Sequence, residues 1–214
     1  MAFAQVEVIP QAPIPPKDVP QAFPYPEGIA MPEYELDQKP APTVTIGDHV
    51  IDLGKFRLSQ MAKETRTELH HNQSREEFLC FSAPAVVPTA KKGEDFGPDY
   101  QYQNLWFFLG NRGQIREVRA ELVPEGQAIC PPYSFTEAPA VIGGISVGER
   151  ADTALKTIDI DPQIQNDVTG WRYWFSQDPN AENSRNTDIN IFAVQEENGR
   201  IKRIFSLVET YKNK

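Results

Sequence analysis

Trp171-Arg172-Tyr173-Trp174-Phe175, Asp188-Ile189-Asn190-Ile191-Phe192-Ala193-Val194 and Arg200-Ile201-Lys202-Arg203-Ile204-Phe205-Ser206-Leu207-Val208 decide the fold. Each run is rich in β-branched and aromatic residues, which suit a pleated, half-buried surface. A polar loop separates the first two runs. A Glu-Glu-Asn-Gly turn separates the last two, and its glycine supplies the positive φ that a tight hairpin needs. The three runs read as antiparallel strands. A helix from about Glu149 to Ile158 precedes them, with Ala151, Ala154, Leu155 and Ile158 on one face.

Working outward, the first half of the chain carries a weaker copy of this unit. Thr43-Val44-Thr45-Ile46 reads as a short strand with Gly47-Asp48 as a turn. Leu58 to His70 reads as an amphipathic helix capped by Ser59, with Leu58, Met61, Ala62, Thr65 and Leu69 on one stripe. Phe78 to Phe81, Leu105 to Leu109 and Ile115 to Val123 read as strands. A long loop, residues 83 to 100, lies between the first two. Gly113-Gln114-Ile115-Arg116-Glu117-Val118 lines up with Gly199-Arg200-Ile201-Lys202-Arg203-Ile204. A shared order of elements implies two units of one fold. The expected class is therefore α+β: two tandem units, each a helix packed on a small antiparallel sheet, behind a proline-rich extended arm. The expected divisions are 1–42 for the arm, 43–123 for the first unit, 124–139 for a linker and 140–214 for the second unit.

The pattern resembles the β-lactamase inhibitor protein family and the small outer-membrane assembly lipoproteins of the BamE (SmpA/OmlA) type. The residues that carry the likeness are Ile145-Ser146-Val147-Gly148-Glu149-Arg150-Ala151, Trp171 to Phe175 and Asn198 to Ile204. The resemblance implies a helical segment on a small antiparallel sheet, twice in tandem for the inhibitor family. It brings no family-specific functional residue. The first unit departs from the pattern through its long loop, and the prolines of the arm have no counterpart in it.

Ten of the nineteen prolines fall within residues 1–42. Proline fixes φ and lacks the N–H of a ladder, so this arm is neither a helix nor a central strand. Its composition favours an extended spacer over an arm that wraps the domain or reaches a partner. Phe23, Tyr25, Tyr34 and Leu36 are the side chains able to tack it down. Ala2-Phe3-Ala4-Gln5 has the small-residue pattern of a signal-peptidase site. It reads as a start Met on the tail of a removed export signal, which places the protein in the periplasm or outside the cell. The other reading is the ordinary start of a cytosolic protein.

The formal charge of −9 argues against nucleic acid and against an anionic lipid surface. No apolar run approaches the ~20 residues that span a bilayer. Cys80 and Cys130 fit either one disulfide in an oxidising compartment or two buried free thiols. Neither has a second Cys or a His at zinc-ligand spacing. His70 and His71 are adjacent near the end of the expected helix, where they complement its dipole rather than bind metal. No Gly-x-Ser-x-Gly elbow and no phosphate-binding glycine loop occurs. Asp178 to Asn183 spaces oxygens like a calcium loop but lacks the sixth-position glycine and the closing glutamate. No catalytic residue, metal site or cofactor is expected. Asn72-Gln73-Ser74 has the form of a glycosylation sequon, which matters only in a eukaryotic secreted chain.

The aromatic residues carry the functional expectation. Trp171, Tyr173 and Phe175 alternate with Arg172 and Trp174, and Trp106 and Phe108 alternate with Leu105, Phe107 and Leu109. Both faces of the sheet are thus apolar, while one layer of helices covers only one. The second face is covered by the other unit, by the arm or by a partner. As a docking face it offers Trp106, Phe108, Arg172, Trp174, Arg203 and Phe205, residue types enriched at interface hot spots. The expectation is a non-enzymatic exported binding protein. It presents this face and the 83–100 and 177–187 loops to a protein partner, as an inhibitor or an envelope assembly factor. The alternative is a hydrolase or small-ligand enzyme with a site between the two units. Oligomeric state is not legible.

Overall fold

The structure, a computed structural model, describes residues 43–71, 76–87, 100–124, 130–132, 138–177 and 186–212. In chain order these form β1 (Thr43–Ile46), β2 (His49–Asp52), α1 (Leu58–Thr65), β3 (His70–His71), β4 (Glu77–Pro84), β5 (Tyr100–Leu109) and β6 (Ile115–Pro124). There follow β7 (Ala140–Ile142), α2 (Ala151–Thr157), β8 (Ile164–Asn166), β9 (Trp171–Gln177), β10 (Asn186–Glu197) and β11 (Arg200–Lys212). The expectations for the arm, the Asn72 sequon, the Asp178–Asn183 stretch and most of both loops lie outside the described residues.

The expected class, two tandem units with a helix on each small sheet, is overturned. The chain is mostly β, and its main body is one antiparallel sheet in the order β3-β4-β5-β6-β11-β10-β9-β8. Each half is a meander, and β6 and β11 join the halves through pairs such as Ala120 with Ile204 and Val118 with Ser206. A second, three-stranded sheet has the order β2-β1-β7. There Val44 from the start of the chain pairs with Ile142 from its middle. The halves therefore share both sheets.

The helices are shorter than the sequence pattern predicts. In α1, the Thr65 hydroxyl donates to the Met61 carbonyl at 2.7 Å, and Arg66 turns left-handed at φ 55° to end the helix. Leu69 is consequently exposed, and His70-His71 pair with Phe78 and Glu77 as an edge strand rather than complementing a helix dipole. Ser59 lies inside the helix and Arg57 takes the N-cap position. Among the described residues, no helix is long and apolar enough to cross a membrane.

The helices and the small sheet pack on one face of the large sheet, here the inner face. Their residues Val44, Ile46, Leu58, Met61, Ile142, Ala151 and Ala154 form one core with Leu79, Phe107, Val118, Trp174, Phe192 and Ile204. Full burial of such side chains stabilises the fold by about 1.5–3 kcal/mol each. Arg200, buried, ties the halves together. It donates to the carbonyls of Gly148 and Val86, both at 3.0 Å. The β10–β11 hairpin closes through Asn198 and Gly199, at φ 52° and 73°. Both values are positive, as the favoured two-residue hairpin turn requires.

Candidate functional site

Strand pairing arranges the outer face of the large sheet in rows across six strands. One row runs Phe175, Ile191, Leu207, Glu117, Phe108, Phe78. The next runs Tyr173, Ala193, Phe205, Arg119, Trp106, Cys80, and a third runs Trp171, Gln195, Arg203, Glu121, Asn104, Ser82. The first two rows are apolar at both ends and charged only at β6. The third is polar except for Trp171.

This face is buried. Trp106 is 1% exposed, Phe108 0% and Phe205 4%. The buried clusters here are Trp171 with Tyr173, Phe175, Phe205 and their neighbours, and Phe78 with Cys80, Trp106, Phe108 and Cys130. Neither contains a residue of the helices or of the three-stranded sheet. Between the clusters, Arg119 pairs with Glu117 and lies 4.2 Å over the centre of the Phe108 ring. That charged pair is itself nearly fully buried. Burial pushes the Tyr173 phenol up to about 12.

The six residues expected to form one docking surface do not share a face. Trp106, Phe108, Arg203 and Phe205 lie on the outer face, whereas Arg172 and Trp174 lie on the inner one. Trp174 packs in the main core, and its indole N–H donates to the Ile160 carbonyl at 2.9 Å. Arg203 bonds Glu121 and, at 3.0 Å, Gln195 within its own sheet. Only Arg172 and Arg203 keep substantial exposure.

Cys80 and Cys130 are joined in a disulfide with their Cα atoms 5.5 Å apart. The same edge of β4 is clasped by Ser82, whose N–H donates to the Pro131 carbonyl at 2.8 Å. The Ser82 hydroxyl donates to Asn104 and accepts the Cys130 N–H. The bridge spans a sequence separation of 50, for which chain-entropy reasoning gives about 4 kcal/mol of stabilisation.

The open concavity lies elsewhere. A groove of about 620 Å³ runs between α2 and the β8–β9 hairpin, with Leu155, Ile160, Pro162 and Trp174 in its lining. A second hollow of about 510 Å³ adjoins it beside the 167–170 turn. Arg172 and Glu196 line both, held together at 2.9 Å. Among the described residues, the lining of the two hollows carries Asp152, Asp159, Asp161, Asp167, Glu196 and Glu197 with Lys156 and Arg172, and Arg150 pairs with Asp152 at 3.2 Å. Val168, beside this acidic rim, is 96% exposed. Sequence reasoning reached Arg172 and Trp174 but not the groove, because short β8 and the 158–162 turn carry no strong periodic signal.

Among the described residues, no group of three or more His, Cys, Asp or Glu side chains is placed to hold a metal ion. Burial lowers the His70 pKa, while Glu68 acts to raise it and His71 to lower it further. His70 and Tyr173 stand on strands six positions apart in the sheet, roughly 29 Å at the usual spacing, and cannot act as an acid–base pair.

Comparison of the chain with protein-family models, curated proteins and solved structures finds no match. The likeness to the inhibitor and BamE-type families rests on the residues quoted for it alone.

Proposed function

We propose that this chain is a non-enzymatic exported binding protein whose protein partner inserts a basic segment into the groove between α2 and the β8–β9 hairpin. The observation that carries this reading is the groove itself, an open hollow with apolar residues in its lining and an acidic excess that remains after Arg150 pairs with Asp152 and Arg172 with Glu196. A lysine or arginine stem suits the Leu155–Ile160–Pro162 lining while its charged head meets the acidic rim. The buried aromatic face is, in this reading, interior rather than a docking surface. The Cys80–Cys130 bridge supports an oxidising compartment, periplasmic or extracellular. The partner relation fits either an inhibitor or an envelope assembly factor.

Titration of the isotope-labelled full chain with a lysine-rich peptide tests the reading by amide NMR. The expected result is shifts confined to residues 151–162, 167–173 and 195–198, weakened by salt. The Asp159→Asn, Asp161→Asn double variant should reduce them. Asparagine tolerates the positive φ of 36° at residue 159. Shifts elsewhere, or none at millimolar peptide, would contradict it.

A further inference from the structure

The edge of the large sheet at β4 is closed in two different ways. Near its start, β3 pairs with Glu77 and Phe78. Further along, β4 is met instead by residues 130–132. The Ser82 N–H donates to the Pro131 carbonyl at 2.8 Å, and Ser82 forms an isolated parallel bridge with Pro132. The Ser82 hydroxyl accepts the Cys130 N–H at 3.1 Å and donates to Asn104 at 2.7 Å. One residue of β4 thus receives this short segment through both its backbone and its side chain, beside the Cys80–Cys130 bridge.

Hydrogen bonds alone hold such a segment weakly. Pro131 and Pro132 have no N–H, so neither donates a ladder bond to β4. A hydrogen bond exchanged with water contributes little net, less than the ordering of the residues that make it costs. The covalent bridge makes up the difference by keeping Cys130 beside β4. The rest of the fold does not lean on it. Cys80 and Cys130 sit in a small cluster with Phe78, Trp106 and Phe108, whereas the main core contains neither cysteine.

We propose that Cys80–Cys130 is a redox-operated clasp on the β4 edge. Oxidised, it holds residues 130–132 against β4; reduced, it releases them and opens the Ser82 N–H to water. The reductant is a dithiol. Its thiolate attacks the sulfur of Cys130, which is 4% exposed where Cys80 is 0%. The S–S bond breaks, and its electron pair goes to the Cys80 sulfur, which takes up a proton in its apolar cluster. The second thiol of the reductant then displaces Cys130 from the mixed disulfide, and the Cys130 sulfur takes the other proton. The chain gains two electrons and two protons while the dithiol becomes a disulfide. Ser82 reports the redox state, because its N–H loses its acceptor when Pro131 leaves. This inference does not depend on the groove or on its partner.

Amide hydrogen exchange of the isotope-labelled full chain, read by NMR before dithiothreitol, after it and again after reoxidation, tests the clasp. Reduction should speed exchange at the Ser82 amide at least ~10-fold more than at Ala120 in the middle of the sheet. Cross-strand contacts between β6 and β11 should persist, and reoxidation should restore protection at Ser82. The Cys80→Ala, Cys130→Ala double variant should show the fast Ser82 exchange without reductant; should that variant not fold, the reduced wild-type chain decides. A bridge that dithiothreitol leaves intact in the folded chain would overturn the proposal. So would a Ser82 amide equally protected in both redox states, an equal rise at Ala120, loss of the whole fold on reduction, or protection that reoxidation does not restore.

Discussion

The guanidinium of Arg119 lies 4.2 Å from the centre of the Phe108 ring, and both side chains are almost wholly buried. Arg119 is held there by Glu117, two residues away on the same strand and the same face. A charge in such a place is tolerated only with its counter-charge, since an isolated buried ion costs several kcal/mol. Glu117→Ala should therefore destabilise the protein by about 3–5 kcal/mol. Glu117→Leu combined with Arg119→Met should cost less than that single change. Urea unfolding of the three proteins checks this. Equal and small effects would mean that the outer face is open to water.

The two buried tryptophans separate packing from hydrogen bonding. Truncation of either Trp106 or Trp174 to alanine should cost about 3–5 kcal/mol, because both lie in closed clusters. Replacement by phenylalanine should distinguish them. Among the described residues the Trp106 indole N–H has no hydrogen-bond partner, whereas that of Trp174 serves the Ile160 carbonyl. Trp174→Phe should thus cost about 1 kcal/mol more than Trp106→Phe. Thermal or urea denaturation reads the difference.

Gly148 should tolerate no side chain. At φ +88°, a Cβ there would sit 2.1 Å from the Val86 carbonyl oxygen, the same oxygen that accepts from Arg200. Gly148→Ala must break that contact and should abolish soluble expression or lower the melting temperature sharply. Gly144 has a similar φ of +89° but open space around it. Gly144→Ala should cost only the backbone penalty, about 1–2 kcal/mol. Equal losses at the two sites would show that the Val86–Gly148 approach is not a constraint.

Much of this was legible in residue patterns. Alternation and hairpin turns marked β5, β6, β9, β10 and β11, and placed Trp171, Tyr173 and Phe175 opposite Arg172 and Trp174. What local pattern does not encode is which strands meet across a long gap in sequence. The pairing of Ile204 with Ala120, which joins the halves, and of Val44 with Ile142 have no signature of their own. Helix ends were overextended because the stripe from Leu58 to Leu69 continues past Arg66, where the backbone turns left-handed. The edge at β9 was equally hidden. There the Gln163 side-chain amide donates to the Phe175 carbonyl and accepts its N–H, standing in for a strand that β8 is too short to supply.

Two titrations bracket the pH range of stability. His70, its pKa lowered chiefly by burial, folds more readily when neutral. The unfolded chain binds the proton first, so its contribution is complete above pH 6.5 and is lost as pH falls below that value. His70→Gln should flatten that acid limb. Tyr173 is raised from 10.0 to about 12. The unfolded phenol ionises first, so stability should fall as pH rises between those values, and Tyr173→Phe should remove that loss. Urea midpoints across pH 5–7.5 and 9–11.5 measure both slopes.

The account stands on β6 and β11 being neighbours at the middle of one sheet. Nuclear Overhauser contacts between backbone protons of these strands in the labelled full chain test that most directly. Cross-strand contacts are predicted at Ala120–Ile204 and Val118–Ser206. Absence of those contacts, with the β6 and β11 amides exchanging as fast as those of an open edge, would contradict it.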